Sequence, residues 1–182
     1  MTTSWSTALW LQFGAAIDML EDALLACPAP LWNQRLWSDH SRPPEFAEFW
    51  YLTYHALFWL DLYLSGSREE DFAPPAPFAW TELDSVWVLP ERPYTREELH
   101  AYLAATRRKC HDTLIALTDE RAFQTVDYPW AAGKAVSFLE LQLYSMRHVQ
   151  EHAAQLNLFL GQHAIPAVPG WVPRAKHKPD NH

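Results

Sequence analysis

"SMRHVQEHAAQLN", residues 145–157, sets His148 and His152 one helical turn apart. Around them Met146, Val149, Ala153, Ala154 and Leu156 recur at the spacing of an amphipathic helix. A chain with nine histidines can produce such a pair by chance, so its meaning depends on the rest of the sequence. This helix opens at Ser137, a capping residue with Glu140 three positions on, and the apolar period carries it to about Gln162. Before it lies "DYPWAAGK" (127–134), which holds the breakers Pro129 and Gly133.

Further upstream, Thr95 followed by Glu98 forms a second capping box. Leu99, Leu103, Thr106, Cys110, Thr113 and Leu117 make that helix's stripe, and Thr118 to Phe123 adds a short turn. "FAPPAPFAWTELDSVWVLPERPY" (72–94) has five prolines and no helical period. A crossover this long usually has a task, such as lidding a site. Another helix is expected from "RPPEF" (42–46) to about Leu64. It is apolar nearly all round, through Phe49, Trp50, Leu52, Tyr54, Leu57, Phe58, Trp59, Leu60 and Leu62, so it is either central or covered by a partner subunit. A homodimer is expected on that ground.

The first helix runs from about Ser6 to Ala26, with Trp10, Phe13, Ile17, Leu20 and Leu24 facing in. Asp18, Glu21 and Asp22 read as its solvated face, and "CPAP" (27–30) ends it. The tail, 164–182, reads as extended, with Trp171 on the surface. Four helices of about 20 residues, one Pro-rich crossover and no strand predict an all-α four-helix bundle, a single domain over 1–182.

Composition narrows the function. Net charge is −8 and the pI about 5.5, with no basic stripe, which argues against a nucleic-acid partner. No run is long enough to span a membrane and "MTTSWSTALW" has no cationic leader, so a cytoplasmic protein is expected. Cys27 and Cys110 form no framework and read as small buried hydrophobes.

His55 lies midway along the second helix, between Tyr51 and Phe58 on one side and Leu52 and Trp59 on the other. His148 and His152 straddle the middle of the fourth, flanked above and below by Leu141 and Phe159. All three imidazoles therefore face the interior at one depth. His100 and His111 sit off the third helix's stripe, and His40, His163, His177 and His182 fall in loops or tail. Inward imidazoles need partners. Either each is hydrogen-bonded in the core, or the three hold a divalent metal with an open position: zinc first, nickel or iron as alternatives. A Glu-x-x-His di-iron pattern is absent, as are GxSxG, GxxxxGK[ST] and GxGxxG. Ser145 reads as helix-interface packing, and Glu151 is a candidate to orient a histidine ligand. Tyr51, Trp59 and Tyr144 are expected to shape the pocket.

The second-helix histidine, "RHVQEHAAQLN" (147–157), "PGWV" (169–172) and the crossover's "FAPPAPF" and "PERPYTREELHAYL" together resemble the DinB-like superfamily over nearly the whole chain. The resemblance implies an up-down-down-up bundle with a three-histidine metal site, whose ligands His55, His148 and His152 match residue by residue. Some branches are enzymes that use bacillithiol, mycothiol or a related low-molecular-weight thiol. The implied function is a metal-binding protein acting as a thiol-dependent S-transferase or a metal-dependent hydrolase. The alternative is a non-catalytic stress-response protein whose metal is structural.

Overall fold

A computed structural model of the chain describes residues 4–38, 41–83, 88–131, 134–165 and 170–176. His40, His177, His182, part of the crossover (84–87), Gly133 and most of the tail (166–169 and 177–182) lie outside the described residues.

The all-α reading holds. The helices are α1 (Ser4–Ala26), α2 (Phe49–Ser65), α3 (Arg96–Ile115), the one-turn α4 (Asp119–Ala122) and α5 (Phe138–Gln162). Both α1 and α2 pack against α3 and α5, so the four long helices share one core. Phe13, Ile17, Leu20 and Leu24 of α1 are fully buried in it, with Leu57 and Leu60 of α2 and Leu141 and Leu156 of α5. Capping sets two of the starts. Thr95 Oγ1 accepts from Glu98 N while the Glu98 carboxylate accepts from Thr95 N, and Ser137 Oγ accepts from Glu140 N. Of the expected stripe Leu99, Leu103, Thr106, Cys110 and Leu117 are buried, whereas Thr113 is half-exposed and its neighbour Leu114 is buried instead. Among the described residues no helix is long and apolar enough to cross a membrane.

Several expectations need correction. The helix read from "RPPEF" starts later: Pro44–Ala47 is a 3-10 turn, Glu48 is extended, and α2 begins at Phe49. The cause is local pairing. Phe49 N donates to Gln34 O at 3.0 Å and Trp50 N to Trp32 O at 3.1 Å, so residues 32–36 take the hydrogen bonds that an earlier helical turn would supply. At its other end Gly66 adopts φ 64°, a left-handed cap; a Cβ there would lie 2.6 Å from the Arg121 guanidinium. A two-residue ribbon also exists where no strand was expected. β1 (Thr125–Val126) pairs antiparallel with β2 (Val136–Ser137), too short for alternation to reveal.

The acidic cluster of α1 is not a solvated face. Asp18 is 3% exposed and accepts from Arg107 of α3 at 2.8 Å and from the Lys176 backbone N–H at 2.6 Å. Glu21 reaches the same guanidinium at 2.9 Å and His100 at 3.2 Å, and Asp22 pairs with the Lys176 ammonium. The carboxylates thus join α1 to α3 and fix Lys176, while Ala175 N donating to Leu11 O and Gln12 Nε2 donating to Pro173 O hold the residues before it along α1. Gly14 admits that segment, since a Cβ there would meet the Ala175 methyl at 2.7 Å. Trp171 just before it is exposed, as expected.

The circumference of α2 is covered by the chain itself. Helices α3 and α5 take two sides, and Phe72, Phe78 and Tyr94 of the crossover close much of the rest against Tyr54 and Phe58. The apolar surface that suggested a homodimer is therefore used internally.

Candidate metal centre

α2 and α5 lie side by side and bring the three predicted histidines together. His148 Nε2 stands 3.1 Å from His55 Nε2 and 3.0 Å from His152 Nε2. One ligand-type atom from each ring falls within 4.8 Å of the others. The outward nitrogens of two rings are occupied. His55 Nδ1 lies 2.7 Å from Glu82 Oε2, and His152 Nδ1 lies 2.8 Å from Gln155 Oε1. Both partners are acceptors, so each Nδ1 carries the proton and each Nε2 turns a lone pair inward. His148 Nδ1 is buried without a hydrogen-bond partner.

Lone pairs at such separations repel unless a proton or a cation lies among them. Zinc–nitrogen bonds of about 2.0–2.1 Å place tetrahedral ligands about 3.3 Å apart, close to the 3.1 and 3.0 Å that separate His148 Nε2 from the Nε2 atoms of His55 and His152. Electrostatics agree with the geometry. Burial, reinforced by the neighbouring imidazoles, pushes His148 down to about 2. Burial and His55 push His152 down to about 4, against the opposing pull of Gln155 and Glu82. Both rings are neutral at pH 7, the form that binds metal.

Glu82 was not anticipated. It sits in the 3-10 turn Thr81–Leu83 of the crossover, far from any helical period. Burial alone would raise its carboxyl, but the neighbouring His55 ring and hydrogen bonds from His55, Tyr51 and Trp59 hold it below the usual range. Trp59 Nε1 donates to the same Oε2 at 2.9 Å. The turn is anchored from both sides: Tyr54 donates its hydroxyl to Ala79 O at 2.5 Å, and Ala79 N donates to the Tyr94 hydroxyl at 2.8 Å. Phe78 stacks on Tyr102 of α3 with centroids 4.3 Å apart. The only sequence signal was the crossover's length, which marks a lid without saying which residue reaches in.

Glu151, expected to orient a ligand, is exposed at the edge of a different cavity; Glu82 and Gln155 contact the rings instead. Ser145 is buried in the helix interface as expected, and Cys27 and Cys110 are buried and free. His100, His111 and His163 lie elsewhere, against Glu21, Asp112 and the Phe159 carbonyl.

The cluster is not sealed. His55 and His152 border a cleft walled by Trp37, Arg42, Phe46, Tyr51, Leu52, Thr81 and Glu82. Across α5, His148 borders a second cavity walled by Met19, Tyr144, Arg147 and Trp171. Tyr51 thus walls the first cleft, Trp59 reaches Glu82 without lining either cavity, and Tyr144 faces the second cavity and stacks on Trp130 at 4.3 Å.

The sequence pattern of the DinB superfamily matches residues 12–156, from early α1 through both α5 histidines. No match was found among curated proteins or among solved structures.

Proposed function

The chain belongs to the DinB superfamily, and on that footing we propose that it binds one divalent metal through His55, His148 and His152 and uses it catalytically. The observation that carries this reading is the convergence of three Nε2 atoms whose outer nitrogens are engaged at His55 and His152. Zinc is the first choice of ion, with nickel or iron as alternatives, because imidazole accepts all three. The proposed frame is a single-domain, up-down-down-up four-helix bundle, with 164–182 as its tail. The buried free cysteines suit a reducing compartment, the cytoplasm.

A bound divalent ion would supply Lewis acidity that deprotonates a coordinated thiol or water. The protein's own part is to position and to exclude. Trp37, Phe46 and Tyr51 wall the cleft beside the cluster, and the crossover covers α2 next to it. A low-molecular-weight thiol attacking an electrophile, or water attacking an ester or amide, fits this arrangement. The cleft favours catalysis over a purely structural ion, because a structural site is closed by four protein ligands.

Cobalt(II) substitution tests this. Adding bacillithiol, mycothiol or glutathione to the cobalt protein is expected to produce a thiolate-to-cobalt charge-transfer band, with turnover then sought across a panel of electrophiles. A cobalt spectrum that no thiol and no small anion perturbs would assign the ion to structure alone.

A further inference from the structure

We infer that Glu82 is a positioning residue of the metal centre: it fixes the His55 tautomer and so links seating of the crossover to metal affinity. The inference rests on the metal-binding reading of the three histidines. A neutral imidazole has two tautomers, and only the one protonated at Nδ1 presents an Nε2 lone pair to His148 and His152. Glu82 Oε2, 2.7 Å from His55 Nδ1, selects that tautomer. It is able to do so because it is itself held: its side chain is 5% exposed, and Trp59 Nε1 donates to the same oxygen at 2.9 Å.

The two outer partners differ in a way that matters. Gln155 is three residues from His152 on the same helix, so that contact forms whenever α5 forms. Glu82 comes from an irregular segment 27 residues away from His55. Its reach depends on the Tyr54 and Tyr94 bonds to Ala79 and on the Phe78–Tyr102 stack. Unseating the crossover therefore frees the tautomer of one ligand of three while leaving α2 and α5 intact. The carboxylate also places a negative charge beside the position a dication would take, which raises the basicity of His55 as a ligand.

The test measures zinc affinity by competition with a chromophoric chelator for wild type, Glu82→Leu, Glu82→Gln and Trp59→Phe. The nitrogen tautomer of His55 is read by 15N NMR in the metal-free proteins. Outer-shell partners are worth about 10–100-fold in affinity. Glu82→Leu is expected near the upper end. Glu82→Gln, whose amide oxygen still accepts from Nδ1–H, is expected near the lower end, and it serves if the leucine variant does not fold. Trp59→Phe keeps the carboxylate but removes one of the bonds that hold it, and should cost less affinity than Glu82→Leu. His55 should be protonated at Nδ1 in wild type and lose that preference in Glu82→Leu. Zinc affinity within twofold of wild type in Glu82→Leu, or an unchanged His55 tautomer, would overturn the inference. So would a loss in Trp59→Phe as large as in Glu82→Leu, since crossover packing would then explain it. If wild type itself bound zinc no better than His148→Ala, the metal reading would fall first and this inference with it.

Discussion

Replacing any one of His55, His148 and His152 by alanine is expected to weaken zinc binding by roughly 10²–10³-fold. Structural zinc sites bind with about 10–16 kcal/mol over four ligands, about 2.5–4 kcal/mol for each. Every 1.4 kcal/mol is about a tenfold change in affinity. His148 should show the greatest loss, because its Nε2 stands between the other two at 3.1 and 3.0 Å. Competition titrations on variants that retain the wild-type helical signal measure this. Two variants with wild-type affinity would remove the histidines from the ligand set.

Acidification should destabilise the metal-free protein strongly. Burial and neighbouring imidazoles hold His148 at about 2 and His152 at about 4, whereas in the unfolded chain each titrates near 6.5. Between about pH 4 and 6.5 the unfolded chain therefore binds more protons than the folded one, and stability rises with pH across that window. In the opposite direction, stability present above pH 6.5 is lost as the pH falls toward 4. His152 alone contributes about 3 kcal/mol to that loss, roughly 6–12 °C in melting temperature for a chain of this size. His148 adds to it with the same sign.

Zinc adds stability only while it is bound. Zinc-loaded protein should melt well above chelator-treated protein at pH 7.5, and the two should converge as protons displace the ion near pH 4. Coincident melts at pH 7.5, or a metal-free melt unchanged between pH 7 and 4.5, would contradict the neutral buried cluster.

What could be read from the sequence follows from how locally each feature is determined. The caps at Thr95 and Ser137 are encoded within four residues, and the apolar stripes within a few turns. The depth and facing of His55, His148 and His152 follow from helical period alone, so the cluster was legible before any contact was known. The start of α2 was not, because it depends on backbone bonds to residues 32–36. Asp18 looked like part of a solvated face because Arg107 lies 89 residues away and the tail 158. Glu82 was hidden for the same reason: an irregular segment has no period from which to project a side chain. Local chemistry marked the ligands, while long-range packing chose what orients them.

The most direct measurement is diffraction from zinc-grown crystals, collected above and below the zinc absorption edge. The expected result is a single anomalous peak about 2.0–2.1 Å from Nε2 of His55, His148 and His152, with a fourth position facing the cleft beside Tyr51. A zinc-saturated crystal with no peak among these three rings, or with the ion held by other side chains, would contradict the three-histidine centre.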